Sequence, residues 1–173
     1  MLNVAQSTDV NLFSGCIMLC ITNTIVDWYD FVYNTCKSYK DGLLEPEWEC
    51  HVTIGYGYHR DDIKRLRKGD IPILLSSIMT QSELSFFEND KKVAKFAVRK
   101  DTQQYLSLFQ LRQRTFQLCR CIETYPNYNP HITLGYFKPG TDVKATLECP
   151  TFNTLYLKTS YKTAEGQKIS CVI

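Results

Sequence analysis

A chain of 173 residues is most simply one domain, long enough to bury about two thirds of the surface its unfolded form exposes. Its 44% hydrophobic and 22% charged residues are ordinary globular values, which argue against both a disordered chain and a membrane-spanning one. A net charge of +2 is too small for a surface-wide grip on duplex DNA or RNA, although it leaves room for a locally basic cleft.

In chain order, residues 1–14 match no pattern and are set apart as an N-terminal extension to a single domain over 15–173. The run Leu12 to Ile21, LFSGCIMLCI, has no basic residue ahead of it, because Lys37 is the first Lys or Arg in the chain. It is therefore expected to be a buried strand and not a secretory signal, and it is far too short to span a membrane. Gly15 to Thr22 forms the strand proper, with a helix start at Asn23 and Thr24. From Ile25 to about Tyr39, Ile25, Trp28, Tyr29, Val32, Tyr33 and Cys36 recur at helical spacing. KDGLLEPE reads as a loop, Cys50 to Tyr58 as a strand, and RDDIKRLRKGD as one or two helical turns with a solvated face.

Ile71 to Phe87 reads as one or two strands and Lys91 to Arg99 as another, with ENDK turning between them. A second helix is predicted from about Thr102 to Glu123, its apolar stripe running through Tyr105, Leu108, Leu111, Phe116, Leu118 and Cys119. After the loop TYPNYNP come a strand from Ile132 to Phe137 and a hairpin, Thr154 to Tyr161 and Lys168 to Ile173, turning at AEGQ. Helices separated by several strands predict an α+β domain with mainly antiparallel sheet. Each half holds strand material, a long helix and a histidine-bearing strand, an imperfect internal duplication.

The eight cysteines (16, 20, 36, 50, 119, 121, 149 and 171) contain no Cys-x-x-Cys pair, and none lies at zinc spacing from a histidine. Most sit in apolar runs, as buried free thiols of a reducing compartment do, so a cytoplasmic location is expected, with no metal and no cofactor.

One phrase is written twice. ECHVTIGYGYH spans residues 49 to 59 and NPHITLGYFK residues 129 to 138, and two of the three histidines occupy matching positions. Strand alternation puts His51 and Thr53 on one face and Val52 and Ile54 on the other, and likewise His131 and Thr133 against Ile132 and Leu134. Gly55 and Gly135 would continue the polar face and leave open space beside each pair. Tyr56 and Tyr136 would fall with the apolar residues, facing the core first and a ligand second. Phe137 falls on the polar face, placed to stack on a base; Lys138 is a candidate phosphate contact, and Tyr58 a further candidate substrate contact.

Two such strands side by side would offer two imidazoles and two hydroxyls to one cleft. That set suits phosphodiester transfer to a neighbouring sugar hydroxyl: a neutral imidazole takes the attacking hydroxyl's proton, and a protonated one gives a proton to the departing oxygen. An ordinary imidazole pKa near 6.5 makes both states accessible around neutrality. The threonine hydroxyls can donate to the non-bridging phosphate oxygens, and no metal is required. A lone His-x-Thr is usually structural; a pair in register is a chemical signal. His59, beside Asp61 and Asp62, lacks a further His or Cys at ligand spacing and reads as a loop histidine. Arg112, Arg114 and Arg120 read as solvated helix positions, Tyr125 and Tyr128 as residues of the cleft mouth, and Pro130 as a structural lead into its strand.

With His51, Thr53, His131 and Thr133 in the motif positions, the sequence resembles the two-histidine (2H) phosphoesterase superfamily, whose signature is a pair of His-x-Thr/Ser motifs at a comparable span. The resemblance covers most of the chain from Gly15 onward: CIMLCITN with its helix, the ENDK hairpin, the long second helix and PHITLGYFKPG follow in the family's order. It implies a bilobal α+β fold, two antiparallel-sheet lobes with helices outside and a central cleft on a pseudo-two-fold axis. It also implies metal-independent cleavage of phosphodiesters in RNA-like substrates. The superfamily includes RNA 2′,3′-cyclic phosphodiesterases and ligase-like enzymes, members that destroy cyclic nucleotide signals, and viral members that degrade 2′,5′-oligoadenylate and so blunt RNase L activation. Compact size, free thiols and weak net charge suit a small nucleotide substrate of the viral kind. The expectation is a monomeric 2′,5′-phosphodiesterase acting on 2′,5′-oligoadenylate or another small oligonucleotide, in the host cytoplasm if viral. The alternatives are an enzyme of 2′,3′-cyclic phosphate ends or cyclic oligonucleotides, and a catalytically silent RNA-binding module, which has no need of two matched imidazoles.

Overall fold

Two β–α–β units, one in each half of the chain, set the architecture. The computed structural model describes residues 10–22, 27–122, 126–148 and 151–173. The first unit is β1 (Gly15–Thr22), α1 (Trp28–Lys37), the short β2 (Leu43–Pro46) and β3 (His51–Tyr58). The second is β6 (Lys92–Ala97), α3 (Gln103–Leu118) and β7 (His131–Phe137). Between them lie α2 (Arg60–Arg65), β4 (Ser77–Met79) and β5 (Ser85–Glu88), and the hairpin β8 (Thr151–Lys162) and β9 (Lys168–Val172) closes the chain.

Local chemistry explains the elements. In β1, Ile17, Met18, Leu19 and Cys20 are all buried, so this central strand is an unbroken apolar run and not an alternating one. Helix α1 begins where the Asp27 carboxylate accepts from the Asp30 backbone N–H at 3.2 Å, and it buries Trp28, Val32 and Cys36 on one stripe. The start predicted at Asn23 and Thr24 lies outside the described residues. Thr102 caps α3, its hydroxyl accepting from Tyr105 N–H at 3.3 Å. That helix ends at Leu118, short of the predicted Glu123, and Leu118 itself is exposed, with Arg112 and Thr115 taking buried places in the stripe. The stretch expected to be loop before the first histidine contains β2, whose role is to pair with β7.

The strands form one antiparallel sheet in the order β4-β8-β1-β3-β7-β6-β5, with β2 added on β7 and β9 on β8. The two histidine strands are neighbours, yet among the described residues β3 and β7 pair only through Val52 and Ile132. Beyond that point they part, and β2 lies along the far half of β7 opposite Tyr136 and Gly135. The sheet is thereby split into two lobes hinged at one residue pair. The helices cover the apolar face: α3 packs on β3 and β4, and α1 on β2 and β7. Seven cysteines are free thiols among the described residues, four of them buried (Cys20, Cys36, Cys50 and Cys119), and Cys149 lies outside the described residues.

Candidate active site

Register decides which side chains share a face. Directly opposed residues in neighbouring strands point the same way. From β8 through β1 to β3, the opposed sets are Tyr156–Cys20–His51, Lys158–Met18–Thr53 and Ser160–Cys16–Tyr56. From β7 through β6 to β5, they are His131–Ala97, Thr133–Lys95–Ser85 and Tyr136–Val93–Phe87. An antiparallel pair centred on Val52 and Ile132 sets His51 beside Thr133 and His131 beside Thr53. The four motif residues therefore meet on one face at the junction of the lobes, in a pseudo-two-fold arrangement.

Both strands carry a β-bulge at the same place in the phrase. On β3, Met18 and Ile17 oppose Thr53 and Gly55, which leaves Ile54 extra; on β7, Lys95 and Ala94 oppose Thr133 and Gly135, which leaves Leu134 extra. A bulge adds one residue and reverses the alternation after it. Strict alternation therefore misplaces the residues that follow each threonine until a further irregularity restores it. Tyr56 turns to the histidine face and is 44% exposed, and Tyr136 turns with it, its ring 3.9 Å from the Lys91 ammonium. Phe137, predicted for the polar face, is wholly buried and meets Tyr39 edge-on at 6.3 Å. Gly55 and Gly135 are not open space either. A Cβ on Gly55 would come within 2.8 Å of the Tyr58 ring, and one on Gly135 within 3.0 Å of the Glu45 carbonyl. A second irregularity on β3 leaves Gly57 unpaired at φ +90°, a conformation glycine tolerates, and it returns Tyr58 to the core. Tyr58 is fully buried and bonded to the Thr115 hydroxyl, so it does not reach the cleft.

Each bulge frees backbone groups that need partners. Buried Arg112 donates from Nη1 to the Ile54 carbonyl at 2.8 Å, its guanidinium held between the rings of Phe116 and Tyr128 at 4.8 and 4.6 Å. The Tyr128 hydroxyl donates to the Thr53 carbonyl at 3.1 Å. These two residues, expected on a solvated helix face and at the cleft mouth, brace the first motif from behind. Arg120 is also engaged, gripping Asp62 at 2.9 and 3.0 Å and meeting His59 Nδ1 at 3.1 Å. His59 is no ligand: its ring is buried, caps α2 by accepting from Asp61 N–H and lies edge-on to Phe13. Tyr125 lies outside the described residues.

The imidazoles are oriented alike. His51 Nδ1 meets the Glu49 carbonyl at 2.8 Å and His131 Nδ1 meets the Asn129 carbonyl at 2.6 Å, each two residues upstream. A carbonyl can only accept, so Nδ1 carries the proton and Nε2 is left to exchange one with a ligand. Their surroundings differ. Beside His51, the Glu49 carboxylate takes two bonds from Lys158 Nζ, at 2.7 and 2.8 Å, and a weak one from Cys20 Sγ. Beside His131 stand the Phe87 ring, edge-on at 5.8 Å, and the Lys95 ammonium, 4.7 Å from the centre of that ring. Burial pushes the His131 pKa below 6.5, opposed by the Asn129 hydrogen bond and reinforced by the charges of Lys95 and His51.

Lys138 is not brought to the pair: its ammonium donates to the Asp41 carbonyl at 2.9 Å, and it follows β7, about 23 Å of extended strand from His131. Lys95, Phe87, Glu49, Lys158 and Tyr156 join the site instead. Apart from Glu49, which stands two residues before His51, their only sequence signal is their place in strands whose register is unknown until the pairing is. Among the described residues no His, Cys, Asp or Glu cluster could hold a metal ion. A pocket of about 570 Å³ between α1 and the segment at Lys144 to Thr146 contains none of the motif residues.

No protein-family model and no curated protein sequence matches this chain. Its fold does match solved structures. E. coli LigT complexed with 3′-AMP superposes with a TM-score of 0.65 at 13% identity, over 92% of this chain and 95% of that one. Kluyveromyces marxianus Usb1 gives 0.60 at 12% identity, over 95% and 100%, and a phosphoesterase gives 0.55 at 14% identity, over 91% and 95%. These neighbours are 2H phosphoesterase superfamily members, and the α+β fold of this chain is the 2H phosphoesterase fold.

Proposed function

We propose that the protein is a phosphodiesterase that cleaves 2′,5′-linked oligoadenylate without a metal. One observation carries this reading: two histidines meet on one face at the lobe junction, each with Nδ1 tied to a carbonyl two residues upstream and Nε2 left for a substrate. In a 2′,5′ linkage the free 3′-hydroxyl stands beside the phosphate. One Nε2 takes its proton as the 3′-oxygen bonds to phosphorus; the other gives a proton to the 5′-oxygen as its bond to phosphorus breaks. The products are a 2′,3′-cyclic phosphate end and a free 5′-hydroxyl. Thr53 and Thr133 donate to the non-bridging oxygens, where charge accumulates. Burial and the Lys95 charge favour neutral His131 as the proton acceptor, which leaves His51 as the donor.

The likeness to LigT complexed with 3′-AMP and to Usb1 complexed with uridine monophosphate supports a substrate of nucleotide size. Net charge and free thiols support action in the cytoplasm, where loss of 2′,5′-oligoadenylate would withhold the activator of RNase L. The test is a panel of 2′,5′-triadenylate, 3′,5′-triadenylate and a 2′,3′-cyclic mononucleotide in excess EDTA, read by product length and end chemistry. Shortening of the 2′,5′ substrate is expected, and His51→Ala or His131→Ala should each lower the rate by about 10²- to 10⁴-fold. An intact 2′,5′ substrate beside a consumed cyclic one would replace this reading with that of an RNA-end enzyme.

A further inference from the structure

The two lobes are unequal in charge at the cleft. On the β1–β3 side the cation opposite the motif row is Lys158, and it is neutralised by a two-point bond to Glu49. On the β6–β7 side the corresponding cation is Lys95, directly opposite Thr133, and among the described residues no carboxylate pairs with it. Of the acids of its own hairpin, Asp90 lies in the turn, and Glu88 belongs to the other face and accepts from the Gly140 backbone. Lys95 is half-buried, its ammonium rests over the Phe87 ring, and burial lowers its pKa. A partly desolvated cation without a counter-charge is an unfavourable arrangement that an anion would relieve.

Phe87 supplies the second half of the case. It shares the cleft face with Tyr136 and Val93, its ring lies against His131, and it remains 45% exposed. Phe86, the next residue, points to the opposite face, where Lys92 covers it. An exposed aromatic face beside a held lysine is the combination that binds single-stranded nucleic acid, the ring stacking a base and the lysine meeting a phosphate.

We infer that Phe87 and Lys95 form a nucleotide subsite on the His131 side of the cleft. Phe87 stacks the base of the nucleotide that provides the attacking hydroxyl, and Lys95 binds a phosphate oxygen of the same strand. The subsite requires an unpaired base, so it selects single-stranded oligonucleotides over duplexes. It rests on the phosphodiesterase reading for the position of the reacting phosphate.

The experiment is equilibrium binding of fluorescein-labelled 2′,5′-tetraadenylate, by anisotropy, to the full chain carrying His51→Ala so that the probe is not consumed. Adding Phe87→Ala should weaken binding about 5- to 150-fold, the range that loss of one base–aromatic stack predicts. Phe87→Leu, which keeps an apolar side chain without a ring face, should weaken it as well, and Phe87→Tyr should retain it. Lys95→Met should weaken binding and lower the slope of log Kd against log salt by about 0.7, the value for one phosphate contact on a single strand. Phe86→Ala is the control and should leave Kd within twofold. A folded Phe87→Leu variant that binds like its parent overturns the subsite, and so does an equal loss from Phe86→Ala. Failure of the unmodified protein to cleave the tetramer would sink the phosphodiesterase reading alone, because the binding comparison does not depend on turnover.

Discussion

His131 and His51 share one kind of backbone anchor, and the surroundings of His131 weaken its hold on a proton. His131 is pushed down by burial first, and the positive charges of Lys95 and His51 add to that. Because its folded pKa lies below the unfolded value near 6.5, the unfolded chain binds the proton more readily. Its contribution to stability is therefore present above about pH 6.5 and is lost as pH falls through the folded pKa. The effect of charge is separable from that of burial. In Lys95→Met the Lys95 charge is gone, so the His131 midpoint should rise, which ring-proton NMR titration of the free protein reads residue by residue. Unchanged His131 midpoints in the parent and the variant would show that Lys95 has no electrostatic hold on the site. The same variant should move the acid limb of the kcat/KM profile upward if His131 is the group that must be neutral.

At the scale of the elements, the β-bulges at Ile54 and Leu134 govern what each motif presents. They reverse the strand after the threonine, and the Ile54 carbonyl they release is held by Arg112 in the interior. Arg112→Met keeps the bulk of the side chain but leaves that carbonyl without this donor, a loss of about 1–3 kcal/mol for a buried polar group. In a domain of this size that corresponds to a fall in Tm of roughly 2–12 °C, measurable by thermal melting. Activity should fall further than stability, because the strand that aims His51 is the one released; a melt and rate identical to the parent would remove Arg112 from its bracing role. The same bulges mark where the sequence stopped being legible. His51, Thr53, His131 and Thr133 lie before the bulges, and alternation placed them on one face correctly. Tyr56, Tyr136, Phe137 and the two glycines lie after them, and alternation carried past a bulge assigns each to the wrong surroundings. The second irregularity, at Gly57, cancels the first and leaves Tyr58 in the core, where alternation puts it. A bulge is fixed by what the opposite strand does, so no window along β3 or β7 contains it. Lys95 and Phe87 were hidden for a related reason: their proximity to His131 is a matter of cross-strand register alone.

Across the whole molecule, the internal duplication does not produce two independent halves. Helix α1 follows β1 but reaches the other lobe, where Phe31 meets Phe96 of β6 at 5.9 Å and Tyr39, just beyond the helix, meets Phe137 of β7. Helix α3 follows β6 but packs behind β3, through Arg112 to Ile54 and through Phe116 and Thr115 to Tyr58. Each unit thus completes its core with the helix of its twin, while the sheet itself is held at the centre by the single Val52–Ile132 pair. A cleft that depends on two strands meeting at one pair needs its lobes fixed by something else, and the exchanged helices supply it. Neither lobe can lose its covering helix without disturbing the strand that precedes that helix in the other lobe. The consequence is one cooperative unit. Leu108 is fully buried on α3, and Leu108→Ala should cost about 2–5 kcal/mol. Hydrogen exchange followed by mass spectrometry, peptide by peptide, should show that cost equally in β1 of one lobe and β6 of the other. Loss of protection confined to β3 and β4, with β6 and β7 unaffected, would mean that the lobes unfold separately and that the histidine pair is held by the sheet alone.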